Sequence, residues 1–337
     1  MAAVSSTAFA QSTVTLFGVV DLGYQSTKAT VNGIAYKAST MASGTQSGSR
    51  VGFKGTEDLG GGLKVNFHIE GGVTPDDSNL TWSNRQSFVG LEGDFGTLNL
   101  GRQYTLHHSN QGEGDMLGNV GNAGYIGGLD SLVRANNAIT YTSPSFSGIK
   151  AAAQMALGET VTSGVGKKLN ELTAFRLTYA NGPIAAGFAT ENVKNALAAI
   201  GEIKFADQSI LKAPGVDKRN ANNMFASYDL GVAKLSLVNN SSKFTSAGTP
   251  ATKWKASTMS VSAPMGAVTL FGSFGSGKIT SEGTTDNIKL DTLQLGASYT
   301  LSKRTNAYVF VGQTKSKATG DTVDKLSQGV LGVRHSF

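Results

Sequence analysis

The sequence predicts an all-β chain closed into a 16-stranded antiparallel transmembrane barrel. Three observations carry that prediction. Residues alternate apolar and polar with period two over most of the chain. The connections alternate short and long in strict succession, and no stretch approaches the 18 consecutive apolar residues that a membrane-spanning helix requires.

The alternation can be followed from one end to the other. Val14, Leu16, Val20, Leu22 and Tyr24 share one face of the first run, with Thr15 and Asp21 on the other. Val65, Phe67 and Ile69 oppose Lys64, Asn66, His68 and Glu70. Leu293, Leu295, Ala297 and Tyr299 oppose Gln294, Ser298 and Thr300, and Leu331, Val333 and Phe337 oppose Arg334 and Ser336. The reading is one apolar and one polar face throughout. Short connections fall at EDLGGG after Thr56, then at 92–96, 143–148, 181–183, 229–231, 263–266 and 301–304. Long ones fall at about 25–47, 72–83, 103–133, 157–170, 191–221, 241–253, 277–291 and 314–326. Such spacing delimits sixteen strands running up and down as a meander. That is too many for one open twisted sheet, and no propeller-type repeat of about 40–50 residues is present, so closure is favoured. A barrel of this size encloses a water-filled lumen, which explains the polar face: it lines the inside while the apolar face meets lipid.

Composition agrees. Glycine supplies 43 of 337 residues, charged residues only 15%, and hydrophobic residues 39%, against average usages of about 7% glycine and about 25% charge. This is neither a disordered chain nor the composition of an ordinary soluble α/β enzyme. Cysteine is absent, which excludes disulfides, thiolate metal sites and thiol nucleophiles. The net charge of +6 points to nucleic acid only if clustered, and the basic residues are instead spread over strands and loops. Residues 1–10, MAAVSSTAFA, end in a small-x-small pattern before Gln11, the tail of a secretory signal peptide lacking its basic start. The expected division is thus 1–10 as residual signal and 11–337 as one barrel domain.

Several segments carry a family resemblance. QSTVTLFGVVDLGY at 11–24, SGSRVGFKGTEDLGGG at 47–62, SNRQSFVGLEGDFGTLNLGRQY at 83–104, VRANNAITYTSP at 133–144, YTLSKRTNAYVF at 299–310 and GVRHSF at 332–337 resemble the general porins of β-proteobacteria across essentially the whole mature chain. The resemblance implies a passive channel of the bacterial outer membrane for small hydrophilic solutes. It implies short periplasmic turns, long extracellular loops, a third loop folded inward and a homotrimer. Outer-membrane lipid and lipopolysaccharide, and the barrel-assembly machinery that reads a terminal aromatic such as Phe337, are the other implied partners.

Period two puts Arg50 on the face of Gly52 and Lys54, opposite Val51 and Phe53; it sets Arg85 against Phe88, and puts Arg134 with Asn136 and Thr140. All three arginines are therefore expected in the lumen, where the resemblance matches them to a ladder of basic wall residues at the constriction. Lys54 and Lys64 are further lumen cations. Glu70 faces the lumen and is expected to pair with an arginine. Small carboxylates or phosphate are the expected solutes, because guanidinium stays charged and grips such groups in forked geometry. The opposing wall is expected in loop three, about 103–133, whose acids are Glu113, Asp115 and Asp130.

No cofactor or metal is expected: His107 and His108 lack an acid at ligand spacing. His335 and Ser336 are adjacent in a strand, so they point to opposite faces and cannot form a nucleophile–base pair. There is no GxSxG elbow either. The alternatives are a barrel acting mainly as adhesin or receptor through its long loops and, more remotely, a barrel hydrolase.

Overall fold

A computed structural model describes residues 13–77, 79–117, 132–160, 168–196, 203–205, 208–211, 216–283, 285, 287–318 and 323–337. The signal-like residues 1–10 and Asp130 lie outside them. The first strands are β1 (Thr13–Val31), β2 (Ile34–Ser43), β3 (Arg50–Gly60), β4 (Leu63–Thr74), β5 (Asn79–Thr81), β6 (Ser87–Gly93) and β7 (Gly96–Tyr104). Helix α1 (Leu106–Gly114) is followed by β8 (Arg134–Thr142), β9 (Ile149–Thr160), β10 (Lys168–Asn181) and β11 (Ile184–Ala196). A small hairpin, β12 (Ile203–Phe205) and β13 (Gln208–Leu211), precedes β14 (Val216–Asp229), β15 (Lys234–Thr245) and β16 (Thr252–Met265). Last come β17 (Val268–Ser281), β18 (Asn287–Ser302), β19 (Thr305–Ala318) and β20 (Val323–Ser336).

Eighteen of these segments form one sheet, all pairings antiparallel. β2 and β3 are successive parts of one stave, both paired to β1, and β5 and β6 are parts of another, both paired to β4. Sixteen staves remain, and β1 closes the sheet on β20 from Val19↔Ser336 to Thr30↔Lys325. The seam is completed by Gly18 and Phe337, whose backbones exchange N–H···O bonds of 3.0 and 3.1 Å. The Phe337 ring covers Gly18 so closely that a Cβ there would stand 2.3 Å from it.

Outward positions are the apolar ones. Leu16, Tyr24, Phe53, Val89, Leu100, Tyr141, Phe274, Leu293, Leu295 and Leu331 are all exposed, the inside-out arrangement of a barrel whose solvent on that side is lipid. Where lipid ends, the pattern inverts. Near the long-loop ends of β15 to β20 the inward face is apolar, with Phe244, Trp254, Ile279, Leu290 and Leu326 buried together, and the outward neighbours are lysines. The expectation of one apolar and one polar face throughout is thus corrected at that rim.

Several strands run further than the sequence pattern indicates. The expected first loop, 25–47, is largely strand: β1 and β2 pair from Leu22↔Ser43 up to Val31↔Ile34. Their turn is Asn32-Gly33, with φ of 50° and 79°, the two positive values a tight hairpin turn demands. Similar overruns shorten the connections after β17 and β19. Between β1 and β2, polar residues such as Ser26, Thr27 and Lys28 fall on both faces and give no alternation, yet backbone pairing continues into water.

Candidate functional site

The inside of the barrel is where charged side chains gather. Glu70, on β4, is 4% exposed. Arg85 Nε donates to its Oε1, Arg50 Nε lies 3.7 Å from its Oε2, and His68 Nε2 lies 3.5 Å from the same oxygen. Tyr104, at the end of β7, joins the second half of the group: its hydroxyl accepts from Arg85 Nη2 at 3.3 Å and from Arg134 Nη2 at 2.9 Å. The Arg134 guanidinium also sits 4.5 Å from the Tyr104 ring centre, the cation–π contact that favours Arg over Lys. Three arginines from three staves therefore meet around one carboxylate and one phenol. One negative charge faces three positive ones, and the surplus is open to the lumen.

Local backbone irregularity brings them there. Arg85 lies between β5 and β6, where the stave breaks. The sequence phase set Phe88 against it, but Phe88 pairs with His68 and stacks on it at 5.5 Å, so Phe88 faces inward, not lipid: the break interrupts period two. Asn137 has φ of 51° and the β7–β8 ladder slips between Gly101 and Gln103. Hence Arg134 does not share the surroundings of Asn136, which accepts from Arg102 instead.

Lys54 stands 5.4 Å from the ring centre of Phe17, below the arginines on β3. Lys64 is not part of the group. It begins β4 at the turn, level with Asp58 and Glu92 in the register, and six residues of strand, roughly 20 Å, separate it from Glu70.

A second inward element supports the cluster. Between β2 and β3, residues 44–49 turn into the lumen, with Thr45 and Ser49 buried. Asp21 holds them: its Oδ2 accepts from Gln46 N at 2.7 Å and Ser47 N at 2.5 Å, its Oδ1 from the Tyr308 hydroxyl at 2.5 Å, and its own N–H donates to Ser49 Oγ at 3.0 Å. Gly48 of this turn accepts from Arg50 Nη1 at 3.0 Å and lies against Arg85.

Loop three starts as α1, which the sequence reading had as loop. Thr105 caps it, accepting from His108 N at 3.1 Å. The helix lies on the inner wall of β10, β11, β14 and β15. Asn110 donates to Asn223 Oδ1 at 2.7 Å, Asn223 donates to His107 O at 2.8 Å, and Ser236 donates to Gly114 O at 2.6 Å. Leu117 then packs with Tyr308, Phe310 and Val330, so the loop crosses the interior from β7 to the wall of β19 and β20. Glu113 reaches Arg176 Nη2 on β10 at 2.5 Å and is 54% exposed; Asp115 ends the helix and accepts from Leu117 N at 3.1 Å. Asp130 is outside the described residues.

Sequence reasoning missed Arg176 and Arg219. Arg219 donates to Glu191, and both are buried behind α1 beside His107. The odd-numbered phase of β14 and the even-odd alternation of β10 carried that signal. Burial first, and then Arg219, push the His107 imidazole down to about 4 despite Glu191; burial, Arg134 and His107 do the same to His108, also to about 4. Neither His107 ring nitrogen has a hydrogen-bond partner. Both are neutral helix residues, unsuited to general base work near neutrality. Among the described residues no cluster of acids and histidines fit to hold a metal occurs.

An antiparallel barrel with an apolar exterior, a charged lumen and a loop laid across it defines an outer-membrane channel. The comparisons agree with that class and narrow it. The family model "Gram-negative porin" matches residues 1–319. The chain is similar to outer membrane porin protein 32 of Delftia acidovorans, 33% identical with 99% of this chain and 97% of that protein covered. An outer membrane porin of Bordetella pertussis is 29% identical over 100% of this chain and 97% of its own. Among solved structures, the anion-selective porin from Comamonas acidovorans superposes with a TM-score of 0.79 at 27% identity, covering 97% of this chain and 100% of that one. The chain belongs to the Gram-negative porin family and resides in the outer membrane.

Proposed function

We propose that the channel passes small hydrophilic solutes with a preference for anions such as small carboxylates and phosphate, and that Arg50, Arg85 and Arg134 are its selectivity element. One observation carries this reading: the three guanidinium groups converge on Glu70 and Tyr104, leaving a surplus of positive charge on the wall that loop three faces. A unit charge 4 Å from a permeating ion is worth about 1 kcal/mol in bulk water and about 4 kcal/mol at an effective dielectric of 20. Three together exceed thermal energy, yet each is exposed enough to release its anion, as conduction requires. Glu70 and Tyr104 keep the long side chains extended into the lumen. The similarity to an anion-selective porin supports the sign. A homotrimer, export through a cleaved signal at 1–10, and the absence of catalysis complete the proposal.

The test is a planar-bilayer reversal potential in a salt gradient. Replacing the three arginines with glutamine should move it toward cations, more in dilute than in concentrated salt. An unchanged anion preference would transfer the role to Lys54 or to Arg176 and loop three.

A further inference from the structure

Among the described residues of loop three, Glu113 is the acid exposed to the lumen. It stands on α1 away from the buried face formed by His107, Asn110, Gln111 and Gly114. Asp115, the other described acid of the loop, is turned to Leu117 N. A bare carboxylate at Glu113 would attract cations and offset the surplus of the arginine cluster, because low-dielectric walls focus the field of every lumen charge on the permeating ion. Left alone, it would work against the selectivity proposed above.

Arg176 meets it there. β10 sends Phe175, Leu177 and Tyr179 outward, all exposed, and so turns Arg176 inward. Its neighbours across the ladder are Ala152 on β9 and Ala189 on β11, whose methyl groups leave the guanidinium room to reach along the wall to α1. Nε donates to Asn110 Oδ1 at 3.2 Å, and Nη2 lies 2.5 Å from Glu113 Oε2. Asn110 and Glu113 are three residues apart on the helix and therefore neighbours on its surface. One planar fork spans both acceptors, which a point-like ammonium does not.

The contact is held from behind. Asn110 also donates to Asn223 Oδ1 at 2.7 Å, and Asn223 donates to His107 O at 2.8 Å, so the acceptor that orients Arg176 is itself fixed to the wall. The helix comes this near because two glycines face it off: a Cβ at Gly187 would stand 2.3 Å from Asn110 Oδ1, and one at Gly114 would stand 2.5 Å from Val238 Cγ2. The Arg176 side chain is 14% exposed against 54% for Glu113. The acid is thus presented to the lumen, and the cation that neutralises it is set back. A pair this open to water adds little stability; its effect is on the field in the pore.

We propose that Arg176 determines the channel's specificity through Glu113: it cancels the charge of this loop-three acid, so that Glu113 does not offset the field of Arg50, Arg85 and Arg134 across the lumen. The inference rests on the anion-channel reading and deepens it. Arg176 is a positioning residue and not a station for the anion, because its guanidinium is turned to Asn110 and Glu113 and a permeating ion meets the pair as neutral. Loop three then narrows the lumen at Glu113 without adding a counter-charge there.

The test compares reversal potentials in a salt gradient, with single-channel conductance on the same bilayers, for the full-length channel and for R176Q, E113Q and E113Q/R176Q. R176Q should move the potential toward cations by about as much as the loss of one arginine of the cluster, and more in dilute than in concentrated salt. R176M, of similar length and without charge, should repeat that shift and replaces R176Q where the latter does not fold. E113Q alone should move the potential less, toward anions, because Arg176 is set back from the lumen. In E113Q/R176Q the potential should return to the parent's value. Displacement of α1, read as a conductance change, would persist in the double variant, whereas return of the potential is specific to charge. No shift in R176Q and R176M overturns the proposal, as does a shift that E113Q fails to reverse, which would trace selectivity to docking of the loop. Equal and opposite shifts in R176Q and E113Q also overturn it, since they reduce the pair to two ordinary lumen charges. The anion-channel reading is judged separately, by the sign of the parent's own potential and by the triple arginine variant, so failure of one and failure of the other are told apart.

Discussion

His107 shows how a side chain's neighbourhood can set its chemistry against its sequence appearance. Next to His108 it reads as a polar loop end, but it lies at 0% exposure on the buried face of α1, near Glu191 and Arg219. Its folded-state value near 4 lies below the usual 6.5. Above pH 6.5 the imidazole is neutral in both folded and unfolded states, so stability is fully present. As pH falls from 6.5 to about 4 the unfolded chain takes up a proton that the folded one refuses, and stability is lost progressively; below about 4 the loss levels off. The cost is about 3 kcal/mol for a shift of this size. We expect the protection of the α1 amides, taken relative to the intrinsic exchange rate at each pH, to fall as the pH drops through that window, and His107→Gln to remove its share of the dependence. The arginines are the contrasting case. Their inward direction was legible from alternation alone at Arg50, whose strand is regular. At Arg85 and Arg134 it depends on a stave break and on a slipped register that alternation does not report. Tyr104, which joins two of them, gave no signal, because a tyrosine at a strand end usually marks the membrane interface.

Among elements, the strands were legible and the inward turns were not. Period two and alternating connection lengths are direct consequences of a wall with lipid on one side and water on the other, so all sixteen staves could be placed. The turn at 44–49 has no hydrophobic pattern of its own; it is held by the Asp21 carboxylate, 23 or more residues away in sequence. An Asp at an inward position of a first strand looks like any solvated lumen residue. Helix α1 was hidden for a similar reason: its buried face is largely His107, Asn110 and Gln111, of which Asn110 bonds Asn223 on the wall, so it lacks the apolar stripe by which helices are recognised. Asp21→Asn leaves only one acceptor oxygen and turns an amide NH₂ toward donors. We expect it to cost on the order of 2 kcal/mol, to lose exchange protection at the Gln46 and Ser47 amides, and to weaken anion preference by freeing the turn that backs Arg85. A variant with unaltered protection would mean that Thr45 and Tyr308 suffice to hold the turn.

For the whole molecule, closure and charge distribution decide behaviour. The seam joins the two ends of the chain, and Phe337 contributes both backbone bonds and a ring seated on Gly18. Deleting Phe337 should therefore reduce folding even in detergent without any cellular machinery, and a further loss in cells would measure the part due to recognition of the terminal residue; normal folding in both would refute either role. Charge poses the last question. The chain carries a net +6, and a uniform-charge account would make any basic residue equally relevant to selectivity. The structure separates two basic groups instead. The arginines face inward on β3, β8 and the break before β6, whereas the row Lys255, Lys278, Lys289 and Lys317 faces outward on β16 to β19, three to eight strands away around the barrel; at about 4.8 Å per strand even three strands exceed a Debye length of about 10 Å at 0.1 M salt. Removing the four lysines subtracts more net charge than removing the three arginines. The expected outcome is nonetheless opposite in rank: at 0.1 M salt or above, the lysine variant should keep its reversal potential within a few millivolts, and the arginine variant should lose most of its anion preference. If instead the shift followed the number of charges removed, selectivity would belong to the field of the whole barrel, and the arrangement around Glu70 and Tyr104 would be scaffolding.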